Sequence, residues 1–226
     1  MPLLFPEPTE CRRRLGDFSE KWPENVRLLN EIHRKITDAI DQDVQQKRQI
    51  LSDINRDVLG LLQRWSAFRG GGRKNENFLP DVVAVDGGVN VEIIYEIART
   101  TNEHEDSLGE ILNERQDGIK KVYNCFREKL LLNNPRARIV AISKALLIIC
   151  GFSVGFDTER VNKAINNSKI EAFAAPGVWP FWMYFGNLKA VAEEQTRWES
   201  RYNERMCDLL TGTPIGQIMD RILWTS

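Results

Sequence analysis

From about Asp17 to Phe68, apolar residues return every three or four positions with no alternating pattern between them. Val26, Leu29, Ile32, Ile36 and Ile40 form one such series; Ile50, Ile54, Val58, Leu61 and Leu62 form a second. That spacing lines one face of an α-helix, so residues 1–69 are expected to be a helical lobe. Ser52-Asp53 either caps a turn or lies inside the second helical stretch. Arg69-Gly-Gly-Gly-Arg-Lys-Asn-Glu-Asn77 is glycine-rich and polar and is expected to be a loop.

The pattern changes at Phe78. Leu79-Pro-Asp-Val-Val-Ala-Val-Asp86 reads as a short strand with proline at its mouth. Gly87-Gly88 can turn the chain, and Val89 to Ala98 reads as a second strand rich in β-branched residues. The pair is expected to form a β-hairpin. A helix over Asn102–Leu132 is stopped by Asn133-Asn-Pro135. Arg138–Ser143 is expected to be a third strand, and Ala145–Cys150 a buried strand or short helix. Further helices are expected over Thr158–Ala174 and Tyr184–Leu210, with a last short one after Thr211-Gly-Thr-Pro214. The expected fold is therefore α/β: a small mixed sheet at 78–150, flanked by the N-terminal helical lobe and a helical C-terminal part at 151–226.

The 226 residues suit one domain with a core of its own. Hydrophobic and charged fractions of 42% and 28% are those of a globular chain. The N-terminus lacks a basic start and a continuous apolar run, so no secretory signal is expected, and no apolar run is long enough to suggest a membrane span. A net charge of −1 argues against coating nucleic acid by bulk electrostatics. Cys11, Cys125, Cys150 and Cys207 are too scattered for a zinc cage and suggest a reducing compartment. His33 and His104 are the only histidines.

The expected hairpin has a chemical consequence. With a two-residue loop, Asp81 shares a face with Glu92, Ile94 and Glu96; a three-residue loop moves Asp81 to the other face. In the first register the carboxylates repel, and a hard divalent cation, Mn²⁺ or Mg²⁺, would neutralise them. One or two such ions can activate water for phosphodiester cleavage, with Lys120 or Lys121 supplying positive charge to the transition state. The plain alternative is that Asp81 caps a turn and the glutamates are solvated. His104, in Asn102-Glu-His-Glu-Asp106, fits a polar loop opening a helix better than a ligand set. Trp179, Trp182 and Tyr184 are either core plugs or a stacking surface for a base.

Pro80-Asp81, the spacing to Glu96, and a following helix with Lys120 resemble the PD-(D/E)xK nuclease core. More narrowly, Asn90-Val-Glu-Ile-Ile-Tyr-Glu96 followed by Arg99-Thr-Thr101 resembles the cap-snatching endonuclease at the N-terminus of the large polymerase of bunyaviruses and arenaviruses. The likeness covers roughly residues 25–143. It implies that Asp81 and Glu96 bind the metal with the Ile97 carbonyl, and that His33 is a helical metal ligand. Asp53 would be a second-metal ligand, with Asp57 one turn on as its substitute. Ala98 stands where the typical core has lysine, so the catalytic cation falls to Lys120, with Lys121 and Arg115 as alternatives. The implied activity is manganese-dependent cleavage of capped messenger RNA to prime viral transcription. The implied partners are that RNA, the rest of the polymerase and the viral nucleoprotein, and the implied location is the host cytoplasm or the virion. Two rivals stand beside it: another PD-(D/E)xK enzyme acting on DNA, and a helical interaction module with a degenerate nuclease-like hairpin that catalyses nothing.

Overall fold

A computed structural model describes residues 3–68, 73–84, 89–132, 139–156 and 180–225. The chain opens with α1 (Pro8–Lys21), α2 (Pro23–Thr37) and α3 (Val44–Arg64). Pro8 and Pro23 each occupy the first turn of their helix, where a missing N–H costs nothing. Asp43 caps α3 by accepting from the backbone N–H groups of Gln45 and Gln46 at 2.8 and 2.9 Å, and the Gln46 side chain completes a capping box. Replacing Asp43 with alanine is expected to cost about 1 kcal/mol. Urea denaturation would show this as a lower midpoint at unchanged slope. Leu29, Ile32 and Ile36 of the first series are buried in α2, and Ile54, Val58, Leu61 and Leu62 of the second in α3, while Val26 and Ile50 are only part-buried and Ile40 lies beyond α2; Ser52-Asp53 lies inside α3.

The expected hairpin is absent. Its first arm is α4 (Phe78–Ala84) and its second is α5 (Val89–Glu103), while the intended turn at Gly87-Gly88 lies outside the described residues. Pro80 falls in the first turn of α4, so a residue read as the mouth of a strand serves a helix start equally well. Asn75 sets that start: its side-chain oxygen accepts from the Asn77 N–H, and its carbonyl accepts from the Phe78 N–H. In α5, Glu92, Glu96, Arg99 and Glu103 recur at four, three and four residues along the more exposed side. Val91, Ile94, Tyr95, Ala98 and Thr101 are buried opposite. β-branched composition suggested a strand, and a buried helix face overrode it.

After α5 comes α6 (Leu108–Lys129), capped by the Ser107 hydroxyl. The third expected strand is also helical: Ile139–Cys150 is α7, in which every residue but Val140 is buried. Then follow α8 (Phe181–Tyr202), a 3-10 turn at Met206–Leu209, and α9 (Ile215–Trp224). The only sheet among the described residues pairs β1 (Arg73–Lys74) with β2 (Leu131–Leu132), antiparallel, with Arg73 opposite Leu132. The fold is thus mainly α-helical, not the expected α/β PD-(D/E)xK core with a mixed sheet.

α7 is the centre of the packing. It touches α2, α3, α5 and α6, so the helices at 1–69 and those at 78–150 share one apolar cluster. A helix apolar on all sides can only sit where neighbours cover every side. α9 packs on α1, and α8 packs on α6. The N-terminal segment is tied to α8: Leu4 N–H donates to Glu194 at 3.1 Å, and the Trp198 indole N–H donates to the Pro6 carbonyl. All four cysteines are free thiols. Among the described residues no helix is long and apolar enough to cross a membrane.

Candidate functional site at the kink of α6

The acids expected to share a metal ion belong to different neighbourhoods. Asp81, in the first turn of α4, accepts from the Asn75 side chain at 2.7 Å. The same Asn75 nitrogen donates to the Lys129 carbonyl at 2.9 Å. Asp81 therefore belongs to the C-terminal end of α6. Glu96 lies on the exposed side of α5, with one oxygen 3.5 Å from an Arg115 guanidinium nitrogen in the first half of α6. Positions 115 and 129 are about 20 Å apart along a helix rising 1.5 Å per residue. Ligands of one divalent ion all lie within roughly 2.6 Å of a common point, so this separation forbids a shared ion.

The other expected ligands are equally dispersed. His33 is part-buried on α2, where desolvation pushes its pKa down. Asp53 is exposed on α3 and accepts from Gln49 at 2.7 Å; Asp57 faces Lys35 at 3.8 Å. The Ile97 carbonyl accepts from the Thr101 hydroxyl at 2.9 Å. Lys120 and Lys121 are exposed on α6. Glu92 has a structural partner, the largely buried Lys47, at 3.0 Å. Among the described residues no group of three or more His, Cys, Asp or Glu side chains could hold a metal ion. These residues do not fit Mn²⁺ or Mg²⁺, and the expected metal-dependent nuclease site, with its one or two ions, is not formed. The expected RNA, polymerase and nucleoprotein partners, and the host-cytoplasm or virion location, had no basis other than the nuclease resemblance.

The aromatics divide. Tyr184 is a core residue, stacked on Tyr123 with centroids 4.7 Å apart and donating to Ser153 at 2.9 Å. Trp182, one of the expected stacking residues, is 70% exposed at the start of α8. Trp179 lies outside the described residues.

A different site is present where α6 meets α5. Apolar residues of α6 repeat at Leu108, Ile111 and Leu112 and resume at Ile119, Val122, Tyr123 and Phe126. Between them Asn113-Glu-Arg-Gln-Asp-Gly118 carries no apolar side chain, and Arg115 stands one turn after Ile111 where the series calls for one. An arginine there cannot be buried without partners. Its Nε donates to the hydroxyl of the fully buried Thr100 at 2.6 Å, and its terminal nitrogen faces Glu96. The backbone at Arg115 departs from helical geometry, with φ −115° and ψ 17°, and α6 kinks. No proline is involved; the side chain's reach into α5 accompanies the break.

The kink opens a cleft of about 450 Å³ between the two helices. Ile93 and Ile97 form its apolar floor, and Glu96, Glu114, Arg115 and Asp117 its polar wall. Gly118 keeps the helices close, since a Cβ there would lie 3.2 Å from an Ile93 methyl. Three carboxylates face one guanidinium, so the wall is acidic on balance. Of these acids the sequence singled out only Glu96, and as a metal ligand; Glu114 and Asp117 were missed. The signal was the six-residue gap in the apolar series of α6.

His104 sits between two acids of α6, one of them the Glu114 that lines the cleft. Its Nδ1 lies 2.8 Å from Glu110 and its Nε2 2.7 Å from Glu114. The bond to Glu114 foremost raises its pKa above the ordinary 6.5. A raised histidine pKa stabilises the fold fully below that ordinary value, and the contribution is lost as pH rises through the raised one. No family model, curated protein or solved structure matches the chain at a significant level.

Proposed function

We propose that this chain is a helical binding module whose α5–α6 cleft receives a cationic group on an aliphatic stem. The observation that carries this reading is the composition of the cleft: Glu96, Glu114 and Asp117 around an apolar floor, with Arg115 as the one cation lining it among the described residues. Arg115 is engaged by Thr100 and Glu96. Among the described residues the Asp117 side chain has no hydrogen-bond or ion-pair partner. Ammonium and guanidinium groups pair with carboxylates, and their methylene stems cover apolar surface such as Ile93 and Ile97. A free polyamine and a lysine or arginine side chain of a protein partner share that chemistry.

Calorimetry on the full chain with spermidine, and separately with a short lysine- and arginine-rich peptide, distinguishes the two sources. Binding is expected to weaken with added salt. The double variant Glu96→Gln, Asp117→Asn is expected to lose about tenfold in affinity, the size of one charge-assisted hydrogen bond. Backbone amide shifts on ligand addition should cluster at residues 93–97 and 113–118. Binding that is unaffected by the double variant would remove the cleft from consideration.

A further inference from the structure

The pair of carboxylates on His104 has a meaning beyond stability. A carboxylate only accepts hydrogen bonds, and a neutral imidazole carries a single N–H. Contacts of 2.8 and 2.7 Å to carboxylate oxygens at both ring nitrogens suit an imidazolium, which has an N–H on each, whereas a neutral ring leaves one of the two carboxylates without a donor. Glu114 also lines the cleft, so one carboxylate belongs to both the histidine bridge and the binding wall. The ring is anchored through its backbone: His104 N–H donates to Thr100, and its carbonyl accepts from Ser107 at the start of α6. Thr100 is also the residue that holds Arg115. The sensor, the kink and the cleft thus share a few adjacent side chains.

We infer that His104 sets the affinity of the α5–α6 cleft for cations, its proton holding Glu114 in the bridge and its loss returning that charge to the cleft. This rests on the cation-binding reading above. The charged groups against the ring are Glu110 and Glu114 on α6; Glu103, the last residue of α5, and Glu105 and Asp106 adjoin it in sequence. Two cations stand nearby: Arg205, which pairs with Asp106 at 3.5 Å, and Arg115, which follows Glu114 in sequence. Glu114 and Glu110 both favour the protonated ring. His33, the only other histidine, lies on α2, and burial moves its titration the opposite way. By linkage, a cation bound beside Glu114 disfavours the imidazolium, and deprotonation of the ring strengthens cation binding by the same factor.

The experiment measures spermidine affinity of the full chain from pH 5.5 to 8.5, with the His104 ring followed by NMR. Affinity is expected to rise about threefold toward alkaline pH, the order of one screened surface charge. Its midpoint should match the titration of the His104 ring. His104→Gln should abolish the pH dependence, and Glu114→Gln should bring the ring's titration down toward 6.5. Affinity that is flat with pH in the wild-type chain overturns the coupling and leaves the cleft reading intact. A pH dependence that survives in His104→Gln also overturns it. The series is repeated with the lysine- and arginine-rich peptide, and if neither ligand binds at any pH, the cleft reading itself fails and the coupling fails with it.

Discussion

Gly216→Ala is expected to lower stability by about 3 kcal/mol or more. A Cβ at this position in α9 would lie 2.5 Å from the Gly151 carbonyl oxygen, the Phe152 carbonyl carbon and the Ser153 carbonyl oxygen. All three are backbone atoms, so no rotamer change relieves the clash, and the helix must move away from residues 151–153. That movement would disturb a tightly joined region. Gly151 has φ +78°, its own Cβ position is 2.8 Å from Pro214, and Gly155 N–H donates to Asp220 on α9 at 2.8 Å. For a chain of this size the loss corresponds to a drop of about 6–12 °C in melting temperature. Gly60→Ala provides the opposite sign. It lies in α3 with nothing within 4 Å of its Cβ position, so helix propensity alone should stabilise by about 0.5–1 kcal/mol. A melting temperature for Gly216→Ala within 2 °C of wild type, set roughly at the error of the comparison, would show that α9 does not pack on residues 151–153 as described.

The second large effect is expected from Trp198→Ala, at about 4 kcal/mol. Trp198 is fully buried in α8, its indole N–H bonds the Pro6 carbonyl, and its ring meets Tyr202 at 5.4 Å. Truncation opens a cavity under the N-terminal segment, where Leu4 and Phe5 are buried and Leu4 N–H bonds Glu194. Trp198→Phe should restore most of the packing and leave a deficit of about 1 kcal/mol for the lost hydrogen bond, plus a small void. Guanidinium denaturation of the three proteins checks the order. Limited proteolysis should cut the N-terminal residues sooner in the alanine variant. A loss below about 1 kcal/mol would be a surface-like value and would mean that the segment is not seated on α8.

The nuclease resemblance failed for a reason visible in α5. Glu92 and Glu96 are four residues apart, a separation that places them on one side of a strand and on one side of a helix alike. The acidic pair therefore could not choose between the two. Arg99 and Glu103 could: odd-numbered, they fall on the far face of a strand but join the glutamates on a helix. The β-branched residues between them drew the assignment toward a strand, although they are simply the buried side of an amphipathic helix. Pro80-Asp81 was similarly two-valued, since proline and an acid suit a helix's first turn as well as the mouth of a strand.

Residues 139–150 contained no usable period at all. Their apolar run, interrupted only by Ser143-Lys144, was divided there into a strand and a second buried element, where the structure has one helix. Periodicity reports a boundary between a wet side and a dry side, and α7 has no wet side. Only the placement of α2, α3, α5 and α6 around it makes helix the outcome.

What the chain determined locally is the set of amphipathic helices: the two periodic series of α2 and α3, and the apolar stripe of α6 with its gap at 113–118. Local spacing suffices there because each such helix has a solvent side that leaves its mark on the residue order. Tertiary structure alone decided that residues 78–84 and 89–103 are helical and that α7 is the hub. It also decided that Asp81 and Glu96 serve opposite stretches of α6, and that Glu114 joins a histidine to a cleft. Those outcomes depend on which buried faces find each other, and the free energy of that choice comes from apolar area covered between distant segments, which no short window of sequence contains.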